Sequence, residues 1–253
     1  MPGKFSTDNR YPNATEVKVS AGGERNYTHY YDTDTYTSLW VAYPLESKHM
    51  GSYSRPNDWS YNPQIDVKYQ VNLLSHSYTD SDVHVRGHLI PNASRNGIKE
   101  MQEQTFYVTN SVPQVHTNFN SGIWQTLEAA IQSKAQRQKL YIVTGVAFNK
   151  VGETKTVEYT TAKDEPTKKV PIPNYFYKVV LSATTDSSGN VTAAQTVGFW
   201  FENKAYSGST YSNYTVSVDQ IEEWTGFDFF PNLPDSIEKT AEKNANYDTF
   251  KNF

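Results

Sequence analysis

Between residues 84 and 132 the chain gathers side chains able to move a proton and hold a cation. His88 follows Arg86-Gly87, and a glycine there lets the backbone turn and bares the edge of the imidazole. A neutral imidazole so placed accepts a proton from water near neutral pH; a satisfied structural histidine is the plainer alternative. His84 lies four residues earlier, a zinc spacing on a helix, but the alternation around VHVR reads as a strand and argues against such a site. Asn120 stands at the entry to a helical stretch, with Glu128 about two turns further on. An Asn amide offers a neutral oxygen ligand, which suits a hard, mostly hydrated Mg²⁺. Glu128 lies beside the apolar stripe of Trp124, Leu127 and Ile131, where it can lean over the same site and hold metal-bound waters. A capping Asn and a solvated helical Glu are the alternative.

Elements must position these groups. YTSLWVAY (36–43) reads as the first strand, 51–64 as a loop, VHVR (83–86) as a short strand and TFYVTN (105–110) as the next one, so that a hairpin with a long connection carries His88. Ile123, Trp124, Leu127, Ala130 and Ile131 recur at helical spacing and predict a helix over 121–138, with Ser121, Asn118 or Asn120 as its cap. LYIVTGVAF (140–148) reads as a buried strand. Two more, 170–185 and 191–203, flank the turn DSSGN. VSVDQIEEWTG (216–226) reads as a helix capped by Asp219 and closed by Gly226, and the aromatic run FDFF (227–230) as core. Residues 1–35 are polar and turn-rich and read as an N-terminal extension, leaving 36–253 as a single domain. No basic n-region with an apolar h-region opens the chain, and MPGKF reads as a start left after removal of a targeting segment.

Composition bounds the alternatives. At 253 residues the chain can bury a full core without covalent staples. The absence of cysteine excludes disulfides, thiolate zinc sites, iron–sulfur clusters and cysteine nucleophiles. Mean hydropathy is −0.69 and no apolar run approaches the ~18 residues of a membrane span. With 19 Tyr, 12 Phe and 5 Trp the mix favours strands over a helical bundle. The net charge of −4 argues against nucleic-acid binding through a broad basic surface and throws the burden on a local site.

The segments RGHLIP, FYVTNSVPQ and FNSGIWQTLE, in that order, resemble the DNA/RNA non-specific endonucleases, whose motif runs Asp-Arg-Gly-His, Asn-x-x-Pro-Gln and Asn-x-Gly-x-Trp-x-x-Leu-Glu. YIVTGVAF, VPIPNYFYKVVL, GFWFEN and VSVDQIEEWTGFDFFPNLPD are similar to the family's later strands and closing helix, so the resemblance spans about 35–240. It implies an α+β, ββα-metal (His-Me finger) fold, a hairpin plus helix set in a larger, mainly antiparallel six-stranded sheet flanked by helices. It implies that His88 is the general base, Asn120 the one direct protein ligand of a single Mg²⁺ (with Mn²⁺ as a substitute), and Glu128 the residue that orders the waters. Arg86 matches the motif arginine near the scissile phosphate, Arg55 an upstream arginine that stabilises transition-state charge, and Asn110 a supporting residue on the second strand. The implied substrates are DNA and RNA, read through phosphate rather than base edges. The resemblance further implies export to the medium, periplasm or cell envelope, leaves room for an inhibitor protein as partner, and leaves monomer and homodimer open.

Two positions depart from the pattern. Val85 replaces the Asp of the motif, with Asp82 or Asp58 as compensating carboxylates. Gln132 stands where the best-characterised branch has an Arg, making it a substrate-binding candidate with Lys134 or Arg137 as helpers. These departures support a second reading, a catalytically weak nucleic-acid-binding or surface module of the same fold. His116 is a further candidate for metal or phosphate. Trp59 and Tyr61 are candidates for stacking on a base, with ordinary packing the plainer reading of both.

Overall fold

The longest apolar runs of the chain become the middle of one sheet. The computed structural model describes residues 3–4, 10–245 and 247–252. MPGKF falls largely outside them. The strands are β1 (Gly3–Lys4), β2 (Ala14–Ala21), β3 (Glu24–Asp32), β4 (Thr37–Leu45), β5 (His84–His88), β6 (Ser111–Val115), β7 (Leu140–Ala147), β8 (Tyr159–Ala162), β9 (Glu165–Pro171), β10 (Tyr175–Thr185), β11 (Val191–Glu202), β12 (Thr215–Val216) and β13 (Phe227–Asp228). The helices are α1 (Lys99–Gln104), α2 (Gln125–Ala135), α3 (Val218–Thr225), α4 (Asp235–Ala241) and α5 (Tyr247–Lys251). Among the described residues, seven strands pair antiparallel in the order β12-β11-β10-β7-β4-β3-β2.

The sheet is buried on both faces. Successive side chains of a strand point to opposite sides. Val41, Tyr43, Ile142, Val146, Phe176, Val180 and Phe199 therefore pack under Leu127 and Ile131 of α2 and Trp124 just before it. Trp40, Val143, Tyr177, Val179 and Trp200 pack on the other side, against Val218 and Ile221 of α3 and the chain beyond it. Phe227, Phe229 and Phe230 are core, as their run predicts. A third cluster, with Trp59, Leu73, Tyr78, Phe106 and Val108, fixes the long connection ahead of the β5–β6 hairpin.

Several expectations need correction. The sheet has seven strands, not six. The segment 1–35, read as a polar extension, supplies β2 and β3 of that sheet. In β3 the buried polar side chains find partners: Asn26 Nδ2 donates to Met101 O at 2.9 Å, and His29 Nδ1 meets Ser38 Oγ at 2.8 Å. TFYVTN is not a strand; α1 ends just before it, a tight turn takes up 108–110, and the hairpin partner is β6. Helix α2 begins at Gln125, entered directly from an irregular helical turn over 116–124. Ser121 does not cap it, since its hydroxyl donates to His116 O at 2.9 Å. Ser217, not Asp219, caps α3 by accepting from Gln220 N, whereas Gly226 does end that helix, with φ +71°.

Behind α3 lies a group of carboxylates. Ligand-capable oxygens of Asp219, Glu222 and Glu242 lie within 4.8 Å of one another. Burial first, then Glu222, Glu238, Asp219 and Asp228, push the Glu242 carboxyl up to about 9. The folded chain therefore keeps a proton there that the unfolded chain gives up near the ordinary value of 4.5. The resulting stabilisation is full below that value and is lost as pH rises toward about 9. Glu242→Gln is therefore expected to raise Tm by at least about 2 °C near pH 8.5 and to leave it nearly unchanged near pH 4. Thermal unfolding at the two pH values checks this, and an equal effect at both would contradict it.

Candidate functional site

The β5–β6 hairpin presents His88 opposite Ser111 and Val85 opposite Gln114. Gly87 is required by packing. A Cβ there would lie 2.5 Å from Gln114 Oε1 and 2.6 Å from Gln114 Cβ. Gln114 is fully buried, and its Oε1 accepts from Asn120 Nδ2 at 2.6 Å. The glycine thus lets one strand seat the glutamine that holds the asparagine.

A cavity of about 510 Å³ opens between the hairpin, the turn before α2 and the loop ahead of β5. His88, Arg86, Arg55, Asn120, Glu128 and Gln132 all line it. Six of the seven candidate residues thus share one wall system. The seventh, Asn110, does not line it. It lies on the tight turn before β6, fully buried, rather than on the strand. Its Oδ1 accepts from Ile90 N, and its Nδ2 donates to Ile90 O and Thr105 O, which ties the turn after His88 to the segment after α1.

His88 sits in an aromatic clamp. Trp59 lies 4.9 Å away, centroid to centroid, and Phe106 5.0 Å. The guanidinium of Arg86 covers Trp59 at 4.6 Å and that of Arg55 covers Phe106 at 4.9 Å, so the two cations bracket the rings. Arg86 is further held by donation to Leu73 O at 2.7 Å, and Arg55 by donation to Asn57 Oδ1 at 2.6 Å. Burial, with Arg55 and then Arg86 beside it, pushes the His88 imidazole down to about 3, against a hydrogen bond to the backbone of Arg86 that favours the charged form. The Nε2 atom is enclosed and has no hydrogen-bond partner, so the backbone bond belongs to Nδ1. The ring is neutral at pH 7 with an open lone pair, the state a proton acceptor needs.

Asn120 and Glu128 form the other wall. Phe119, fully buried against Trp124, Phe176, Phe201 and Tyr206, anchors the irregular turn. Its neighbour Asn120 lines the cavity. With Nδ2 committed to Gln114, the amide oxygen is the atom left to ligate. Glu128 Oε1 lies 3.3 Å from Lys178 Nζ, and burial raises the Glu128 carboxyl while Lys178 lowers it. One neutral amide oxygen and one carboxylate form the donor chemistry of a hard, partly hydrated divalent cation, so these residues fit such an ion.

The departures from the family pattern have structural positions. Val85 lines the cavity; Asp82 and Asp58, the proposed substitutes, are exposed and do not. Gln132 faces the cavity and donates to Ser94 Oγ at 3.2 Å. Lys134 instead donates to Lys251 O and covers Phe250, and neither it nor Arg137 lines the cavity. His116 does line it, together with Asn92 and Gln125. Trp59 is packed in the core and only 7% exposed, though it lines the cavity beneath Arg86. Sequence reasoning gave no role to Gln114, Phe106 or Lys178. Of these Gln114 closes the quoted Asn-x-x-Pro-Gln motif, and Lys178 stands out as a lone charge inside the apolar run YFYKVVL.

This arrangement of hairpin, helix and crossing sheet is the ββα-metal nuclease fold. The chain superposes on EndoG in the crystal structure of its complex with EndoGI, with a TM-score of 0.71 at 20% identity, over 89% of this chain and 90% of that one. The sequence pattern of the DNA/RNA non-specific endonucleases matches residues 6–236, and the chain belongs to that family of phosphodiester-cleaving enzymes. Its relatives include a nuclease of Nostoc (27% identical over 88% of this chain and 77% of that protein) and the Serratia marcescens nuclease (25%, over 89% and 83%). The mitochondrial nuclease EXOG of Mus musculus is 30% identical over 84% of this chain, which spans only 58% of that protein. No helix among the described residues is long and apolar enough to cross a membrane.

Proposed function

We propose that this chain hydrolyses DNA and RNA at phosphodiester bonds without sequence preference, through the cavity lined by His88, Asn120 and Glu128. The observation that carries the reading is the unpartnered, enclosed Nε2 of a neutral His88 in the same cavity as an Asn120 whose amide oxygen is left open. In this reading His88 Nε2 takes the proton from the attacking water. Arg55 and Arg86 oppose the charge that builds on the phosphate oxygens. Asn120 holds one divalent cation, assigned as Mg²⁺ with Mn²⁺ as a substitute, and Glu128 accepts hydrogen bonds from its waters. That cation, when bound, supplies further neutralisation at phosphorus. Asn110 acts as a support for the His88 turn. A site made of cations and acceptors reads the phosphate and accepts either sugar. We place the protein outside the cytoplasm and expect an inhibitor protein where the producing cell needs protection.

A second reading, binding without turnover, is favoured by one observation: apolar Val85 stands in the cavity wall where the family motif has an Asp. Supercoiled plasmid and a structured RNA, each incubated with the protein in Mg²⁺, Mn²⁺ or EDTA, separate the two. Nicking and degradation of both substrates that need the metal support the enzyme. Retention of plasmid without cleavage in either metal would give the site to binding alone.

A further inference from the structure

We propose that Gln102 and Asn57 are positioning residues for cleavage: Gln102 from beneath and Asn57 from beside, they hold the exposed segment 51–58 so that the guanidinium of Arg55 stands in one place at the cavity. The inference rests on the reading of Arg55 given above and deepens it.

Every residue of 51–58 is exposed, and the first buried residue after them is Trp59. A segment that packs no side chain into the core has little of its own to keep it still. Its main chain is nonetheless fastened along its length. At the start, Gly51 lies so close to Gly97 that a Cβ would meet Gly97 Cα at 2.8 Å, and Gly51 N donates to Asn96 Oδ1 at 3.0 Å. Tyr53 N donates to Asn96 O at 3.0 Å. In the middle, Gln102 of α1, only 2% exposed, aims its Nε2 at the segment. That nitrogen lies 3.2 Å from both Tyr53 O and Ser54 O and donates to Asn92 Oδ1 at 2.9 Å. Its two hydrogens are shared among three acceptors, two of them the carbonyls immediately before Arg55. Beyond Arg55, Ser60 N donates to Phe106 O at 3.1 Å.

The hold converges on Arg55. Its guanidinium stacks on Phe106 at 4.9 Å, and its Nε donates to Asn57 Oδ1 at 2.6 Å. Asn57 lines the cavity and stands in the left-handed conformation, φ +54°, which Asn tolerates better than most residues. With Nε given to Asn57, the two terminal nitrogens remain for a phosphate, whose oxygens suit such a paired donor. A long side chain on a loose loop would lose its freedom anew with every substrate, whereas one already held loses little. Displacement of a reacting group by about 1 Å can cost roughly 100-fold in rate. Gln102 also holds Asn92, another residue of the cavity wall, so one buried amide sets the Arg55 segment against that wall.

The test is steady-state cleavage of plasmid in Mg²⁺ by the full-length chain, with single and double variants. Gln102→Met keeps the length of the side chain and removes its donor; Asn57→Ala removes the acceptor of Arg55 Nε. Arg55→Ala is expected to lower kcat/KM about 10²- to 10³-fold. Gln102→Met should lower it about 10- to 100-fold and Asn57→Ala about 3- to 10-fold. The loss should fall in kcat rather than KM, because the displaced group acts on charge that develops in the transition state. In the Arg55→Ala background either substitution should cost less than about twofold, since the side chain it serves is gone. Chymotrypsin should cut at exposed Tyr53 faster in Gln102→Met than in wild type, reporting the released segment apart from activity. A folded Gln102→Met with wild-type kcat/KM, or a loss that persists in full where Arg55 is already replaced, would overturn the proposal. If Gln102→Met does not fold, Asn57→Ala, at an exposed position, decides by the same two outcomes. Arg55→Ala separates the two levels: full activity there sinks the reading of Arg55 itself, whereas an impaired Arg55→Ala beside unaffected Gln102→Met and Asn57→Ala sinks only the role of those two.

Discussion

His88→Ala is expected to lower kcat on plasmid DNA by about 10²- to 10⁴-fold, the range for loss of a positioned general base. The imidazole is held between Trp59 and Phe106, so its removal also leaves space in a packed cluster. A Tm loss of about 2–4 °C per kcal/mol of lost packing is therefore expected with it, and the two effects must be read apart. His88→Asn keeps more of the volume and still lacks a basic nitrogen, so it should be equally inactive and closer to wild type in Tm. Retained cleavage by a folded His88→Asn protein would remove the base assignment. The pH dependence supplies a second check. A free-enzyme imidazole near 3 stays neutral from pH 5 upward, so the fall of kcat/KM on the acid side should not have its midpoint near the ordinary histidine value of 6.5. Such a low value makes a weak base. Burial is its main cause, with Arg55 and Arg86 adding to it, and a phosphate bound against those two cations is expected to offset their share and raise the proton affinity of the imidazole.

Most of this site is visible in sequence because most of it is local. His88, Asn120 and Glu128 lie within one hairpin and the turn and helix that follow, and all three line the cavity. What the sequence conceals is chiefly non-local. The clamp on His88 is built from Trp59, which lies in an irregular loop, and Phe106, which lies in a turn. Lys178 is fifty residues beyond Glu128 on a strand, and nothing nearby in sequence shows which carboxylate it meets. The fold shows the same division. β4, β7, β10 and β11 are apolar runs and read directly as strands. β3 contains Asn26, Thr28, His29 and Asp32, all buried, and hydropathy assigns it to the surface. TFYVTN has strand composition, yet Asn110 spends its amide on Ile90 and Thr105, and that local bonding turns the chain before the strand starts.

Asn120→Ala should be the second severe lesion. The turn that carries Asn120 is held by Phe119, not by Asn120 itself, and the side chain is only part-buried. The backbone of the turn should therefore hold, but buried Gln114 Oε1 loses its donor, a cost of about 1–3 kcal/mol that should show as a modest fall in Tm. Loss of the amide oxygen proposed to hold the cation should weaken Mn²⁺ binding measured by calorimetry and lower kcat by about 10²- to 10³-fold, comparable to removing a group that stabilises transition-state charge. Asn120→Asp discriminates further. Gln114 now accepts from the Asn120 amide through Oε1, while its own Nε2 is buried without a partner. A carboxylate at 120 cannot donate to Gln114, but rotation of the glutamine amide by half a turn would offer Nε2 to it and satisfy both groups. Asn120→Asp is thus expected to fold, to bind Mn²⁺ at least as tightly as wild type, and to keep more activity than Asn120→Ala. Cleavage is not expected to follow affinity alone, because an added negative charge stands beside a phosphate that already carries one, and the net gain for the transition state is smaller than the gain for the free cation. If Asn120→Ala bound Mn²⁺ as tightly as wild type, the cation would have to be placed elsewhere in the cavity, with Glu128, His116 and Asn92 among the ligand-bearing residues of its wall.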